Sequence, residues 1–453
     1  MGIKRRLINT LPPTAKRLLA YPYDYYQMRT ADRRFAGKTL PTGTAADDAP
    51  DHIVCLVVDA LRADAVDAET TPYLAGLDRT DAVTPGSWTF PAVSSMLTGV
   101  YPHEHGGMRQ TDEPDDSDGI RLPPRMDEDR VTITEALAGA GYDTYGGFGH
   151  DTPFVAISGR FDKHALYHNF SSDADDVLSD YLSWAGGRDR TFAFLHLADP
   201  HIPLDPPEEY VEKYDVDTSI ENLTTWDYRH ETDCSGACER YRDHRKRLYR
   251  ASVDYVDDAI GRFAEGLESR LTDPLLVVTA DHGEAHWDHV EFDVEQFDGS
   301  GCVDHGGAPY EAVARVPLLT NADWPLGGPV SLVDLPATFA DVAGVDLPDA
   351  VGHSLTQTPP DDRLMLVEGS LKGHEKKAVY HGDYKLLASR GHGAEVGFEL
   401  PEETVVDLPE DVHELLVRNL PPWPSADGSE TAGDGETEVG GVVEDRLEQL
   451  GYK

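Results

Sequence analysis

Short, continuous apolar runs alternate with amphipathic stretches along most of the chain. His52–Val58 (HIVCLVV), Thr191–Ala198 (TFAFLHLA) and Leu275–Ala280 (LLVVTA) lack polar alternation, which predicts strands covered on both faces. Ile133–Gly141 predicts a helix ending at glycine, followed by a strand over Tyr142–Tyr145. Tyr249–Leu267 repeats apolar positions every three and four residues and predicts a long helix, and Val330–Ala343 predicts another. Such alternation points to an α/β fold, a large mostly parallel mixed sheet between helices. Lys377–Ala388 predicts a hairpin, and with its neighbours a smaller C-terminal α+β subdomain.

The same pattern divides the chain. Residues 1–50 read as a basic arm and linker, 51–350 as a catalytic domain, and 351–420 as the C-terminal subdomain. Residues 421–453 read as a flexible acidic tail that regains a short helix at its end. The polar stretch 205–245, rich in Tyr, Asp and Glu, reads as an insertion or lid.

Charge narrows the function. The 453 residues hold 39 Lys+Arg against 83 Asp+Glu, a net charge of −44. A nucleic-acid partner is excluded, because a broad basic face is missing and phosphates would be repelled. Of the cations 28 are Arg and only 11 are Lys. This acidic, Lys-poor balance predicts a halophilic protein from a salt-rich, haloarchaeal interior, where charge repulsion is screened. Residues 1–38 carry nine Lys/Arg and two Asp/Glu, net +7, which leaves −51 for the remainder. That arm either rests peripherally on an anionic membrane or folds back on the acidic body. No apolar run approaches the roughly 20 residues of a membrane span, and the N-terminus lacks the apolar region of a signal peptide. The expectation is a cytoplasmic protein, with the membrane's inner face as the one candidate contact. Cys234 and Cys238 (CSGAC) lack partner ligands at metal-site spacing and read as paired or free thiols in a plain loop.

Three of the apolar runs end alike. Each delivers an Asp at its carboxyl end: Asp59, Asp199 and Asp281. In an open α/β sheet that edge binds ligands. Any one Asp could be a helix N-cap. Three together, with His201 and His282 close by, are better explained by one divalent metal ion, with Ca²⁺, Mn²⁺, Mg²⁺ and Zn²⁺ all compatible. In Thr84–Gly106, Ser87 and Thr89 precede Pro91, as at a helix's first turn. A hydroxyl there sits where amide N–H groups favour an anion, so Thr89 is either an N-cap or a nucleophile for a phosphate or sulfate group. Metal coordination favours the second role by lowering the hydroxyl's pKa.

Asp59-Ala-Leu-Arg62-Ala-Asp64, Pro91 to His103, Asp199-Pro200-His201-Ile202-Pro203 and Asp281-His282-Gly283-Glu284 together resemble the sulfatase family of the alkaline phosphatase superfamily. So do Tyr310-Glu311, Arg315-Val316-Pro317-Leu318, Gly352-His353-Ser354-Leu355 and the closing Leu450-Gly451-Tyr452. The resemblance implies a metal-dependent hydrolase or transferase of sulfate or phosphate esters. It implies Asp59, Thr89, Asp281 and His282 at the metal, Thr89 at the nucleophile position, and His201 and His305 at the ester oxygens or leaving group. It gives Lys385 a structural role and leaves Asp199 outside the metal shell. The departures steer the chemistry. Family sulfatases oxidise a Cys or Ser to formylglycine, and Thr89 cannot follow that route. Val93 replaces the supporting arginine, Ala60 replaces the second Asp, and His305–Tyr310 leaves no room for the usual lysine. Threonine therefore favours a phosphoryl substrate, as in the phosphodiesterase and phosphonate hydrolase branches. The alternatives are a phosphoglycerol-type transferase acting on a lipid or glycan at the membrane, and a non-catalytic binder of sulfated or phosphorylated glycans. The expected ligand is a small-molecule, glycan- or lipid-linked anionic ester. His286 and His289 read as an acidic surface loop, Asp254, Asp257 and Asp258 as a solvated helix face, and Arg62 as a pin for the strand–helix turn.

Overall fold

A computed structural model describes residues 13–112, 122–167 and 174–424. The strands are β1 (His52–Val58), β2 (Asp78–Val83), β3 (Asp143–Phe148), β4 (Lys163–Leu166), β5 (Thr191–Leu197), β6 (Pro274–Thr279), β7 (Ala285–His286), β8 (Val303–Asp304), β9 (Arg315–Thr320), β10 (Val330–Ser331), β11 (Met365–Val367), β12 (Lys377–His381), β13 (Tyr384–Ser389), β14 (Ala394–Glu399) and β15 (Thr404–Val406). Eight form one sheet in the order β10-β2-β9-β6-β1-β5-β3-β4. Only β9 runs against its neighbours β2 and β6. Every residue of β1 and β5 is buried, as their unbroken apolar runs require. β11 to β15 make a separate antiparallel sheet. The large mixed sheet between helices and the smaller C-terminal sheet both agree with the sequence reading.

Two local devices position the site. The helix Thr89–Thr98 is buried along its whole length and stops at Gly99, whose φ of 72° favours glycine. A Cβ there would also stand 2.7 Å from that of Ala350. Beyond β1 the chain turns sharply through Ala60, at a left-handed φ of 60°. Tyr249, on the long helix Ala237–Arg270, clamps that turn: its hydroxyl donates to Ala60 O (2.8 Å) and accepts from Arg62 N (3.0 Å). Arg62 adds bonds to Glu284 O and Asp288, so it does pin the turn.

Some expectations need correction. The long helix begins at Ala237, well before Tyr249, because Cys238, Tyr241, Arg245 and Leu248 continue its buried stripe. Val330–Ala343 splits into β10 and a helix over Asp334–Ala343, since the Asp334 carboxylate accepts Ser331 N and pairs with Arg363. Asp254 and Asp257 are buried, not solvated; Asp257 accepts Tyr73 N (3.0 Å) and Leu74 N (2.8 Å), and Asp254 pairs with Lys213. Asp258 is exposed and accepts the Tyr210 hydroxyl. His286 is likewise buried, in β7 against Tyr249 and Trp226, and His289 bonds Glu403. Cys234 and Cys238 form a disulfide.

The arm contributes the helix Pro13–Ala36, which buries Ala31 and Phe35 and holds His164 of β4 through Asp32. That part of the arm folds back on the body. Residues 1–12, the tail after 424 and the matching Leu450-Gly451-Tyr452 lie outside the described residues. Among the described residues, no helix is long and apolar enough to cross a membrane.

Candidate active site

β1, β5 and β6 lie side by side and parallel, so the residues at and after their carboxyl ends meet at one edge of the sheet. Asp59, Asp281 and His282 converge there, each fully buried, with one ligand atom apiece within 4.8 Å of the others. Thr89, the first residue of its helix, places Oγ1 3.2 Å from His282 Nε2. Asp199 follows β5 but does not belong to this group. Two of the three strand-end aspartates therefore meet.

The tautomer of His282 follows from its contacts. Its Nδ1 lies 2.8 Å from the Gly283 carbonyl, which can only accept, so Nδ1 carries a proton, and the neutral ring then offers a lone pair at Nε2. Asp59 Oδ1 faces that nitrogen at 3.3 Å and, although buried, receives no hydrogen bond. Two lone pairs pointed at each other in a buried site call for a cation between them. With Asp281 and the Thr89 hydroxyl, this donor set fits a divalent ion of Mn²⁺, Mg²⁺, Ca²⁺ or Zn²⁺ type.

Two histidines absent from the sequence reading complete the centre. His150, just beyond β3, places Nε2 2.6 Å from Asp59 Oδ2. His196, near the end of β5, places Nε2 3.2 Å from Asp281 Oδ2 and 3.7 Å from Asp59 Oδ2. The available signals were a histidine inside an otherwise apolar strand and a Gly-His step after another. Burial pushes His150 down to about 3. Burial opposes charge on His196 too, but its bond to Asp281 outweighs this and raises its pKa. Burial likewise opposes the charge of Asp281, yet His282 and His196 hold its carboxyl well below the usual range. Asp59 is pushed up to about 6, first by burial and then by Asp281.

His201 and His305 stand over this floor. Their rings are 4.9 Å apart, and that of His305 lies 4.1 Å from His282. His201 Nδ1 donates to the Ile202 carbonyl (2.6 Å). His305 Nδ1 faces two carboxylates, Asp304 at 3.0 Å and Glu284 at 3.2 Å. The six-residue stretch from His305 to Tyr310 holds no lysine, but Lys372 reaches Asp304 Oδ2 from the C-terminal side at 2.5 Å. Val93, in place of an arginine, is fully buried. Lys385 bonds Glu403 of the subdomain and reaches across to Glu311 and Pro309 O, in keeping with a structural role.

Residues 51–345 match the family model described as Sulfatase. The chain belongs to the sulfatase family. This sulfatase-family chain is 28% identical to an arylsulfatase of Clostridium perfringens over 199 residues, 39% of each protein. It is 26% identical to the uncharacterized sulfatase YidJ of Escherichia coli over 206 residues, 42% of this chain and 39% of that protein. The matches thus span about two-fifths of these curated relatives. Among solved structures, a protein in complex with its substrate D-glucosamine-2-N,6-O-disulfate superimposes with a TM-score of 0.62 at 16% identity, covering 82% of this chain and 96% of that one. The phosphonate monoester hydrolase of Silicibacter pomeroyi gives 0.58 at 18% identity, covering 81% and 93%. These likenesses establish the shared fold.

Proposed function

We propose that the protein is a metal-dependent hydrolase of anionic sulfate or phosphate esters, with Thr89 as nucleophile and phosphoryl substrates preferred. Residues 51–350 would form the catalytic unit. The contact between Thr89 Oγ1 and His282 Nε2, 3.2 Å, carries this reading, because it sets a helix-terminal hydroxyl beside the donor set. The disulfated sugar bound by one structural relative and the phosphonate ester hydrolysed by another both support an anionic ester as the substrate class.

Asp59, Asp281, His282 and Thr89 would hold the ion, which when bound lowers the hydroxyl's pKa and offsets charge on the ester oxygens. Thr89 Oγ1, its proton released to solvent, attacks the phosphorus or sulfur in line, at a helix N-terminus whose amide N–H groups favour the anion. The bond to the leaving oxygen breaks, and that oxygen takes a proton from His305. Burial pushes free His305 down to about 4, with Asp304 acting in the opposite direction. An anionic ester alongside adds to Asp304's effect. His201, neutral and with its Nδ1 proton tied to a carbonyl, uses Nε2 to accept a proton from the water that frees the group from Thr89.

The test is a panel of 4-nitrophenyl phosphate, phosphate diester, phosphonate and sulfate esters in molar KCl with each candidate metal. Phosphoryl cleavage exceeding sulfate cleavage, and lost in Thr89→Ala, is the expected result. Cleavage unchanged by Thr89→Ala on every ester would refute the assignment.

A further inference from the structure

Three of the chain's eleven lysines, Lys372, Lys376 and Lys377, fall within six consecutive residues. In a protein of charge −44 such a cluster is unexpected, and the fold gives it a place. Lys372 lines a cavity of about 380 Å³ together with Arg229, His230, His374 and His392, against the single lining acid Asp298. These residues come from the polar 205–245 insertion, the segment around β8 and the C-terminal subdomain.

The cavity wall is firmly built. Lys376 Nζ donates to the carbonyls of Lys372 (3.3 Å) and His374 (2.9 Å), and Arg109 donates to that of Gly373 (2.9 Å). Leu371 N and Lys372 N both donate to Gly306 O, at 2.7 Å each. The Lys372 loop is thereby fastened to the residue after His305. Val303 of β8 lines the cavity, while His305, two residues on, faces His282. Asp304, between them, turns at a left-handed φ of 70°, so Val303 and His305 sit on either side of one sharp turn. Asp304 engages Lys372 and also Arg229, at 3.7 Å, and Asp298 lies 3.5 Å from His392, so two carboxylates balance the two cations and what the lining offers an anion is a concentration of N–H donors.

We propose that this cavity is a second anion subsite, holding a carboxylate, sulfate or phosphate on the leaving-group portion of the substrate. The proposal rests on the ester-hydrolase reading and names its substrate class: esters whose organic part is itself anionic. Arg229, Lys372 and the three histidines supply the N–H donors around it. This also explains how so acidic a protein retains an anionic substrate. The positive groups are concentrated beside the leaving-group histidine.

The test measures calorimetric binding to the metal-loaded Thr89→Ala protein, which needs no turnover. The probes are phenyl phosphate, 4-carboxyphenyl phosphate and 4-sulfophenyl phosphate, the last two carrying an added anionic group on the leaving-group ring. Binding of either para-anionic probe at least about tenfold tighter than phenyl phosphate is expected, and the better of the two identifies a carboxylate or sulfate-type partner. Lys372→Gln and Arg229→Gln should each erase most of that preference, and Lys372→Arg should restore it. Equal binding of all three probes, or a preference untouched by both Gln variants, overturns the subsite and leaves the hydrolase reading standing. If none of the probes binds, both fall.

Discussion

Thr89 Oγ1 and His282 Nε2 lie 3.2 Å apart although 193 residues separate them in the chain. The first opens a buried helix; the second follows a buried strand. Because His282 Nδ1–H donates to the Gly283 carbonyl, the neutral ring turns its Nε2 lone pair toward the hydroxyl. Replacing Thr89 by Ala should lower kcat/KM by about 10³-fold or more, while Thr89→Ser should stay within about 100-fold of the parent. Initial rates on the preferred ester, with circular dichroism to confirm folding, provide the check.

His196 carries a different expectation. It spans Asp281 and Asp59 and is itself fully buried. As a positioning residue it should set metal affinity: His196→Ala should weaken divalent-ion binding about 10- to 100-fold, and His196→Gln, which keeps a donor, should recover part of the loss. Calorimetric metal titration reads this directly. Unchanged affinity in both variants would remove His196 from the site.

Leaving-group dependence separates His305 from His201. If His305 is the acid, His305→Ala should slow alkyl esters about 100-fold or more but activated 4-nitrophenyl esters only a few-fold, because the latter need no proton. A uniform loss across leaving groups would assign His305 to binding instead.

A pH-sensitive contact ties the C-terminal sheet to the short helix Pro102–His105. Glu368, buried just after β11, pairs with Lys377 and with His103 at 2.5 Å each. Burial opposes its charge, but Lys377 and His103 hold it down to about 2, against an unfolded value near 4.5. A depressed folded pKa means the contribution is complete above about pH 4.5 and is lost as pH falls toward about 2. Glu368→Gln should therefore cost about 3 kcal/mol at neutral pH, and its deficit should shrink across that acid window. Thermal melts from pH 7 to pH 2 would show it; a constant deficit would refute the linkage.

Composition predicts salt dependence. A −44 chain should gain stability as KCl is raised from about 0.1 M to molar levels, where the screening length falls to about 3 Å. Melting temperature against KCl concentration is the measurement, and a flat profile would argue against adaptation to salt.

Much of the framework was legible because apolar periodicity is a local property. β1 coincides with its apolar run, and β5 and β6 fall within a residue of theirs. Asp59, Asp281 and His282 were likewise readable as strand-end residues, since parallel strands deliver their ends to one edge. Burial of single polar residues was less legible. Asp254, Asp257 and His286 look like surface residues in sequence, and only the elements packed over them withdraw them from water.

By itself, the chain's amino-acid order determined the alternation of buried strands and helices, the strand-end carboxylates and a threonine two residues before Pro91. Only the tertiary structure decided that His150 and His196 join the group around Asp59 and Asp281. Likewise it alone set a lysine loop from the second subdomain beside His305. The physical reason is one of range. Backbone pattern reports each residue's own neighbours along the chain. Hydrogen-bond partners and summed charge at a site depend on which strands lie side by side, and no local spacing records that.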